Sequence, residues 1–503
     1  MKIANLSKLR SELTETENTK LSNILNNTVV GSDKVIMSPV AKRLNNDDAI
    51  LTTYMKFYES LDKSTWPVEL LNLEQKQIDK IGPRSIQKPW SERKDSTAHS
   101  FDKSTATKSC TPGKSPVNIR DVNRLRPVSE ATAIKKIKKN TSSGLPLLVP
   151  KGDAIAKSNK NERWPAMLYT RTQEQGKTRD VWGMSLNDIL NELPFFLPVL
   201  DWMKKQPWLA ALSGPERVND VMHDIIHSAI SNGFKIVSTD FTEFDANTKG
   251  PARDCAWNNY ISLFQEEYRD LLLGISFTFS NVGLVTPDGI YEGEHGTPSG
   301  SMNTTPIGSL AHANLLTSYG TIELDRSLIL IDDCTLTLKD DEDVKRYLNH
   351  CELWGYSTNK DKTFVSDICA IFLQHLYHPK LAIFGKIKGV YPISRAYNRL
   401  CYLERFNEFV KDGITGKDFF AIRSLSILEC TKYHPAFTDF VKFWLSLDKY
   451  PSLPSDESIE MYIARQERVD GAEGLIKNQY GDDLKGIRTW ESYKLLKVIT
   501  QSS

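Results

Sequence analysis

The spacing of apolar positions changes along the chain, and the changes predict the elements. Residues 1–60 place apolar side chains at helical intervals. Residues 83–120 lose that pattern. Ser, Thr, Lys and Pro dominate there, which predicts an extended, loop-like arm that wraps other parts. From 166 to 250 helical and strand-like stretches alternate. From 296 to 380 the pattern predicts a helix, a hairpin, a second helix and further strands. Residues 400–503 read as mainly helical, broken at Pro451 and Pro454. No internal repeat is visible. The coarse result is an α+β protein with a mixed centre and helical flanks.

Two short apolar runs carry acids at their ends. Lys235-Ile236-Val237-Ser238-Thr239 reads as a buried strand, with Asp240 at its end and Asp245 five residues on. Leu328–Ile331 and Cys334–Leu338 read as two strands of a hairpin with Asp332-Asp333 at the tip. Hairpin tips usually need positive φ at both central residues and take Asn-Gly or Asp-Gly. A pair of aspartates there is strained and self-repelling, and a divalent cation would relieve it. Oxygen ligands suit Mg²⁺ or Mn²⁺. If the strand ending at Asp240 lies beside this hairpin, Asp240 and Asp332 can hold two metals about 3.5–4 Å apart, the geometry of in-line phosphoryl displacement. Any single Asp-Asp is more often an acidic surface turn. The apolar frame and the partner acids favour a site here. Gly481-Asp482-Asp483 has no such frame and reads as a polar loop.

Length and charge add limits. At 503 residues the chain exceeds one small core. Its 40% hydrophobic and 25% charged content is that of a globular protein. No run of about 18 apolar residues predicts a membrane span, and the N-terminus lacks a signal-peptide core. Seven cysteines without CxxC spacing argue against a disulfide framework or zinc cluster and for a reducing compartment. Net charge is +1, yet residues 101–180 hold 17 Lys and Arg against 7 Asp and Glu. A basic lobe facing an acidic remainder suits a protein that grips a polyanion and binds cations nearby, and from charge alone suits a solvated basic surface equally well. The cluster Lys135-Lys136-Ile137-Lys138-Lys139 reads as a solvated helix end.

Small and basic motifs complete the set. Ser299-Gly300 before a helical run offers backbone that a nucleic acid can approach closely, and Ser299 and Thr304 offer hydroxyls that could sense a ribose 2′-OH. Alone, the run is an ordinary Ser N-cap. The Gly-Lys-Thr of residues 176–178 fails as a P-loop, because Arg171 stands where that motif needs glycine. Arg171, Lys177 and Arg179 share one face if the segment is extended and could hold triphosphate oxygens. His375 and His378 lack an evident third ligand for zinc.

In this order the residues resemble the palm motifs of viral RNA-dependent RNA polymerases, most like those of picobirnaviruses, with partitivirus-like enzymes next. Asp240-x4-Asp245 resembles motif A, Ser299-Gly300-x3-Thr304 motif B and Asp332-Asp333 motif C. Asn359-Lys360-Asp361-Lys362 resembles motif D, and Phe372-Leu373-Gln374 with Tyr377 motif E. Residues 171–179 resemble motif F, and Ser142-Ser143-Gly144-Leu145-Pro146 motif G. The likeness spans about residues 140–380.

The resemblance implies a right-hand fold of fingers, palm and thumb, with an antiparallel palm sheet, a helical thumb and an N-terminal wrapping extension. It divides the chain into an extension bridging fingers and thumb (1–130), fingers (131–235), palm with motif A (236–249), fingers (250–295), palm with motifs B–E (296–384), and thumb and C-terminal tail (385–503). It implies template-directed, primer-independent ribonucleotidyl transfer for a double-stranded RNA virus. Asp240 and Asp332 would bind two Mg²⁺ or Mn²⁺ ions, with Asp333 supporting. Lys362 would protonate the pyrophosphate leaving group. Asp245, Ser299 and Thr304 would select ribonucleotides. Arg171, Lys177 and Arg179 would contact nucleotide phosphates, and Ser143, Gly144 and Gly300 the template. The partners implied are RNA template and product, NTPs and a viral capsid protein, for a monomer acting in the host cytoplasm within the virion or core particle.

Two departures stand out. Glycine usually precedes the motif C pair, and here it is Ile331. Motif B usually carries an Asn shortly after its Thr, and residues 305–308 are Thr-Pro-Ile-Gly. Asn303 is a substitute, though on another face of the helix. Pro306 predicts a later helix start or a kink. These departures motivate an alternative, a polymerase-fold protein that binds RNA without synthesis. A reverse transcriptase is the third reading, disfavoured by Asp245.

Overall fold

The computed structural model describes the chain except residues 108–113, 118–123, 359–362, 406–412, 450, 471–483 and 502–503. The run that resembles motif D, with Lys362, and Gly481-Asp482-Asp483, expected as a polar loop, therefore lie outside the described residues.

Three sheets organise the described residues. Strands in chain order are β1 (Lys2–Ala4), β2 (Ala166–Thr172), β3 (Thr178–Gly183), β4 (Lys235–Thr239), β5 (Leu284–Thr286), β6 (Gly289–Glu292), β7 (Leu328–Leu330), β8 (Asp333–Leu338), β9 (Phe364–Ser366), β10 (Ala370–Phe372), β11 (His375–Tyr377) and β12 (Gly389–Val390). The central sheet runs β7-β8-β4-β9 and is antiparallel throughout. An outer sheet runs β1-β6-β5-β2-β3, and a small one β10-β11-β12.

Strands β4, β7 and β8 of the central sheet are largely buried on both faces, which explains their nearly continuous apolar runs. Successive residues alternate between the two sides. Ile236 and Leu328 pack with Met222, Ile225 and Ile226 of the helix Pro215–Asn232. Val237, Ile329 and Leu336 pack with Ile307, Leu310 and Ala311 of the helix Thr304–Tyr319. That second helix is buried almost all round, as expected of one with no polar face. It begins at Thr304, so Pro306 falls in the first turn, where its missing N–H has no helical acceptor to lose. The predicted late start or kink does not occur.

Residues 1–107 touch both flanks of this centre. β1 adds the edge strand to the outer sheet, pairing with β6. The helices Asp47–Ser60 and Val68–Ile78 instead share a core with Ile393–Cys401 and Phe437–Leu447. Buried Glu74 accepts from the N–H groups of Ile393 and Ser394 at 2.8 and 3.0 Å, capping a helix 319 residues away in sequence.

The Ser/Thr-rich stretch then crosses the front of the molecule. Lys88 N–H donates to Thr178 Oγ1 (3.0 Å), Arg93 and Thr97 bind Asp180, and Ser96 Oγ donates to Glu243 Oε1 (2.9 Å). Gly296 N–H donates to Ser100 O (2.9 Å), and Thr107 N–H to Leu353 O (3.0 Å). Residues 88–107 of the arm are therefore held by contacts with four separate segments, and Lys94–His99 within it is helical where a loop was expected.

Toward the C-terminus the helices Gly416–Glu429, Phe437–Leu447, Asp456–Asp470 and Glu491–Gln501 agree with the helical pattern broken at Pro451 and Pro454. The six described cysteines are free. No helix among the described residues is long and apolar enough to cross a membrane.

Candidate active site

β4 and β8 carry the acids to one end of the central sheet. Thr239 pairs with Cys334, so Asp240 and Asp333 are the next residues on the two strands. Leu330 pairs with Asp333, which makes Ile331-Asp332 the two-residue loop and Asp333 the first residue of β8. This differs from the expected Asp-Asp tip. Positive φ falls on Ile331, at 59°, and on neither aspartate. Positive φ at the first loop position alone is the pattern of the II′ class, where glycine is usual.

A β-branched residue in this left-handed region is an outlier, and the conformation costs roughly 1–2 kcal/mol. Neighbours offset it. Ile331 N–H donates to Ser309 Oγ at 3.2 Å, and Ile331 O accepts from His312 Nδ1 at 2.8 Å. Each such bond contributes about 1 kcal/mol net, so the two are of the size needed. Because a carbonyl only accepts, Nδ1 carries the His312 proton. Burial pushes this imidazole down to about 4, so it is neutral at physiological pH.

The acids interact. Burial, and then the charge of Asp240, raise the proton affinity of Asp332, while Arg179 opposes them. Burial pushes Asp245 up to about 7, reinforced by the charge of Asp332 and again opposed by Arg179. Asp245 Oδ1 is buried with no hydrogen-bond partner. Asp240, Asp245, Asp332 and Arg179 thus form one electrostatic cluster. It carries surplus negative charge that a cation would neutralise.

The basic hairpin β2–β3 supplies Arg179. Arg171 and Arg179 are cross-strand partners, so they share a face as expected, though on two strands rather than one. Arg171 is held by Glu404, Nε to Oε1 at 3.0 Å. Lys177 is exposed beside the turn that joins the strands.

The small-residue segments have a different reason for their glycines than expected. A Cβ added to Gly300 would stand 1.7 Å from Trp182 O, and one on Gly144 would stand 2.5 Å from Met184 O. Both loops press on the end of β3. The close approach that glycine permits is to protein backbone. Ser299 Oγ accepts from Trp182 N–H at 3.1 Å. Thr304 Oγ1 lies 2.8 and 2.9 Å from the Pro298 and Ser301 carbonyls, to which it donates. Ser143 is buried; its hydroxyl bonds Gly144 O and receives Val149 N–H. These side chains shape their loops. Asn303 is buried with its amide atoms unpartnered.

Sequence reasoning missed Glu192. It lies in the helix Leu186–Met203 and is buried. Both its oxygens accept from Ser301 Oγ at 2.9 Å, and Oε2 from Met302 N–H at 2.8 Å. Burial pushes its carboxyl up to about 8. The available signal was an acid inside the apolar run LNDILNELPFFLPVL. His312, Ser309 and Gly308 were also missed. Only His312, a lone imidazole in an apolar helix, gives any sequence signal.

Elsewhere, Glu69, Cys369 and His378 bring three potential ligand atoms within 4.8 Å of one another. His375 is not among them; its Nδ1 donates to Leu373 O at 2.8 Å. His378 Nδ1 accepts from Lys380 N–H at 3.0 Å, which leaves the proton on Nε2, facing Glu69 at 3.5 Å. Burial pushes the Cys369 thiol up to about 11. His378 thus presents a protonated Nε2 to Glu69, and Cys369 a protonated thiol.

No family model matches the chain. Over 461 residues it is 27% identical to a potential RNA-dependent RNA polymerase of human picobirnavirus (strain Human/Thailand/Hy005102/-), covering 84% of each. The crystal structure of the RNA-dependent RNA polymerase of a human picobirnavirus superposes with a TM-score of 0.83 at 24% identity, covering 99% of this chain and 100% of that one. The insertion-loop deletion mutant of such an enzyme gives 0.80 at the same identity, with the same coverage. The fold is thus that of the right-hand viral RNA polymerases, α+β, with the central antiparallel sheet as palm. Among these the chain is picobirnavirus-like, in fold over nearly its whole length and in sequence over most of it.

Proposed function

We infer that this chain is the RNA-directed RNA polymerase of a double-stranded RNA virus, joining ribonucleotides on an RNA template. One observation carries the reading. Asp240, which follows β4, meets Asp332 and Asp333 of the β7–β8 turn at one end of the palm sheet, with Asp245 and Arg179 in electrostatic reach.

The donor set fits Mg²⁺ or Mn²⁺. It is all oxygen, and Asp240 already raises the proton affinity of Asp332. Asp240 and Asp332, supported by Asp333, are the residues that would hold two such ions. When bound, the ions would stabilise the attacking and leaving oxygens of an in-line displacement.

The chain's own groups do the rest. Arg179 faces the cluster and binds phosphate oxygens of the incoming nucleotide, with Lys177 and Arg171 further along the hairpin. Asp245 offers an unpartnered oxygen to the ribose 2′-OH. Ser299 and Thr304 act on selection through the loop they shape, since Thr297 N–H in that loop donates to Asp245 O at 2.7 Å. Lys362 is the acid for the leaving pyrophosphate. Ser143, Gly144 and Gly300 act on the template by shaping the loops beside its path. Initiation is primer-independent, and the enzyme works as a monomer in the host cytoplasm, within the virion or core particle and beside capsid protein.

The test is incorporation on single-stranded RNA without primer, with NTPs or dNTPs, and with Mg²⁺ or Mn²⁺. Metal-dependent RNA complementary to the template is the expected product. No product with either metal would point to an RNA-binding protein of polymerase fold, and preference for dNTPs to a DNA-synthesising palm enzyme.

A further inference from the structure

The two departures from the polymerase pattern, Ile331 and the Gly308 end of Thr-Pro-Ile-Gly, meet in space. A Cβ added to Gly308 would stand 3.0 Å from Ile331 Cγ2 and 3.7 Å from Ile331 Cβ, with Phe244 Cε1 also at 3.7 Å. Gly308 is therefore the gap on the 304–319 helix into which the Ile331 side chain fits. The same helix holds both backbone groups of Ile331, through Ser309 Oγ at 3.2 Å and His312 Nδ1 at 2.8 Å. The ring of His312 lies 5.1 Å from that of Phe241 and 5.7 Å from that of Phe244, centroid to centroid. Both phenylalanines belong to the segment that carries Asp240 and Asp245. The 304–319 helix thus joins the two segments that supply the acids.

Building on the polymerase reading, we propose that Gly308, Ser309 and His312 form a seat for Ile331 that sets the direction in which Asp332 and Asp333 leave the loop. The small residue absent from the loop is supplied by the facing helix. Ile331, Gly308 and His312 are positioning residues, and the substitution pattern is compensated.

A double-mutant cycle tests this. Gly308→Ala should lower kcat on the order of tenfold or more, with KM for NTP within about threefold, because the acids are misdirected while nucleotide contacts remain. Adding Ile331→Gly to Gly308→Ala should restore kcat to within about threefold of the Ile331→Gly single variant. His312→Asn, which keeps an N–H toward Ile331 O, should retain more kcat than His312→Leu. A Gly308→Ala variant that is insoluble alone and soluble with Ile331→Gly also supports the seat. Equal kcat for Gly308→Ala and wild type, or additive losses in the pair, would overturn it. The same cycle read by denaturant midpoint decides the packing even if the wild type incorporates no nucleotide. Additive midpoints would then refute the seat, whereas coupled midpoints with an inactive wild type would refute only the polymerase reading.

Discussion

Gly300 sits so close to Trp182 that no side chain fits between them. A Cβ would lie 1.7 Å from the Trp182 carbonyl oxygen. The loop that resembles motif B is thereby pressed against the end of the β2–β3 hairpin, the same hairpin that carries Arg179 toward the acids. Gly300→Ala should displace the loop, costing about 1–3 kcal/mol of stability and most of the incorporation activity. Thermal unfolding and single-nucleotide incorporation check this. Unchanged values would mean that the loop is free of the hairpin.

Glu192 holds the other side of that loop through Ser301 and Met302. Its carboxyl is raised to about 8 in the folded protein, against about 4.3 for an unperturbed glutamate. Between those values the unfolded chain has lost the proton and the native one has kept it. Stability from this group is therefore greatest at low pH and falls as pH rises from about 5 to 8. Glu192→Gln keeps the shape and removes the titration. Its stability relative to wild type should rise over that window by about 1 kcal/mol per pH unit. Urea denaturation at pH 5, 6, 7 and 8 reads the difference, and parallel curves would show a carboxyl that is already ionised when buried.

Arg179 opposes the rise in proton affinity of both Asp245 and Asp332, so its charge faces the place where nucleotide phosphates would lie. Arg179→Ala should raise KM for NTP by about tenfold, with Arg179→Lys intermediate. Arg171→Ala should do less, because Glu404 already engages that guanidinium. Steady-state kinetics on a defined template separate the two, and equal effects would place the phosphates elsewhere along the hairpin.

Asp245 keeps an unpartnered buried oxygen. A 2′-OH that donates to it would be rewarded, and its absence in a dNTP would leave the oxygen unsatisfied, at a cost of roughly 1–3 kcal/mol. Asp245→Ala should therefore narrow NTP over dNTP preference by about tenfold or more. Competition between CTP and dCTP on one template measures it, and unchanged discrimination would assign ribose selection to other groups.

The placing of the acids was legible because each piece is local. KIVST and the runs around Asp332-Asp333 are apolar enough to read as buried strands, and the one condition left open, that the first lies beside the hairpin, is met by the pairing of β4 with β8. What the glycines do was not legible. Gly300 owes its identity to Trp182, Gly144 to Met184 and Gly308 to Ile331, and no local pattern reports contacts so distant in sequence. The strain expected at Asp-Asp fell on Ile331 for a related reason. Which two residues form a hairpin loop depends on cross-strand register, and register is set by the neighbouring strand. Glu192 and His312 are polar residues in apolar helices, a signal that marks burial but not the partner.

On the polymerase reading, Asp332 acts in nucleotidyl transfer and not in folding or RNA binding. Single-turnover incorporation by Asp332→Ala, beside its affinity for single-stranded RNA and its unfolding midpoint, tests it most directly. Incorporation should fall to background while affinity and midpoint stay near wild type. Extension at the wild-type rate would contradict the account.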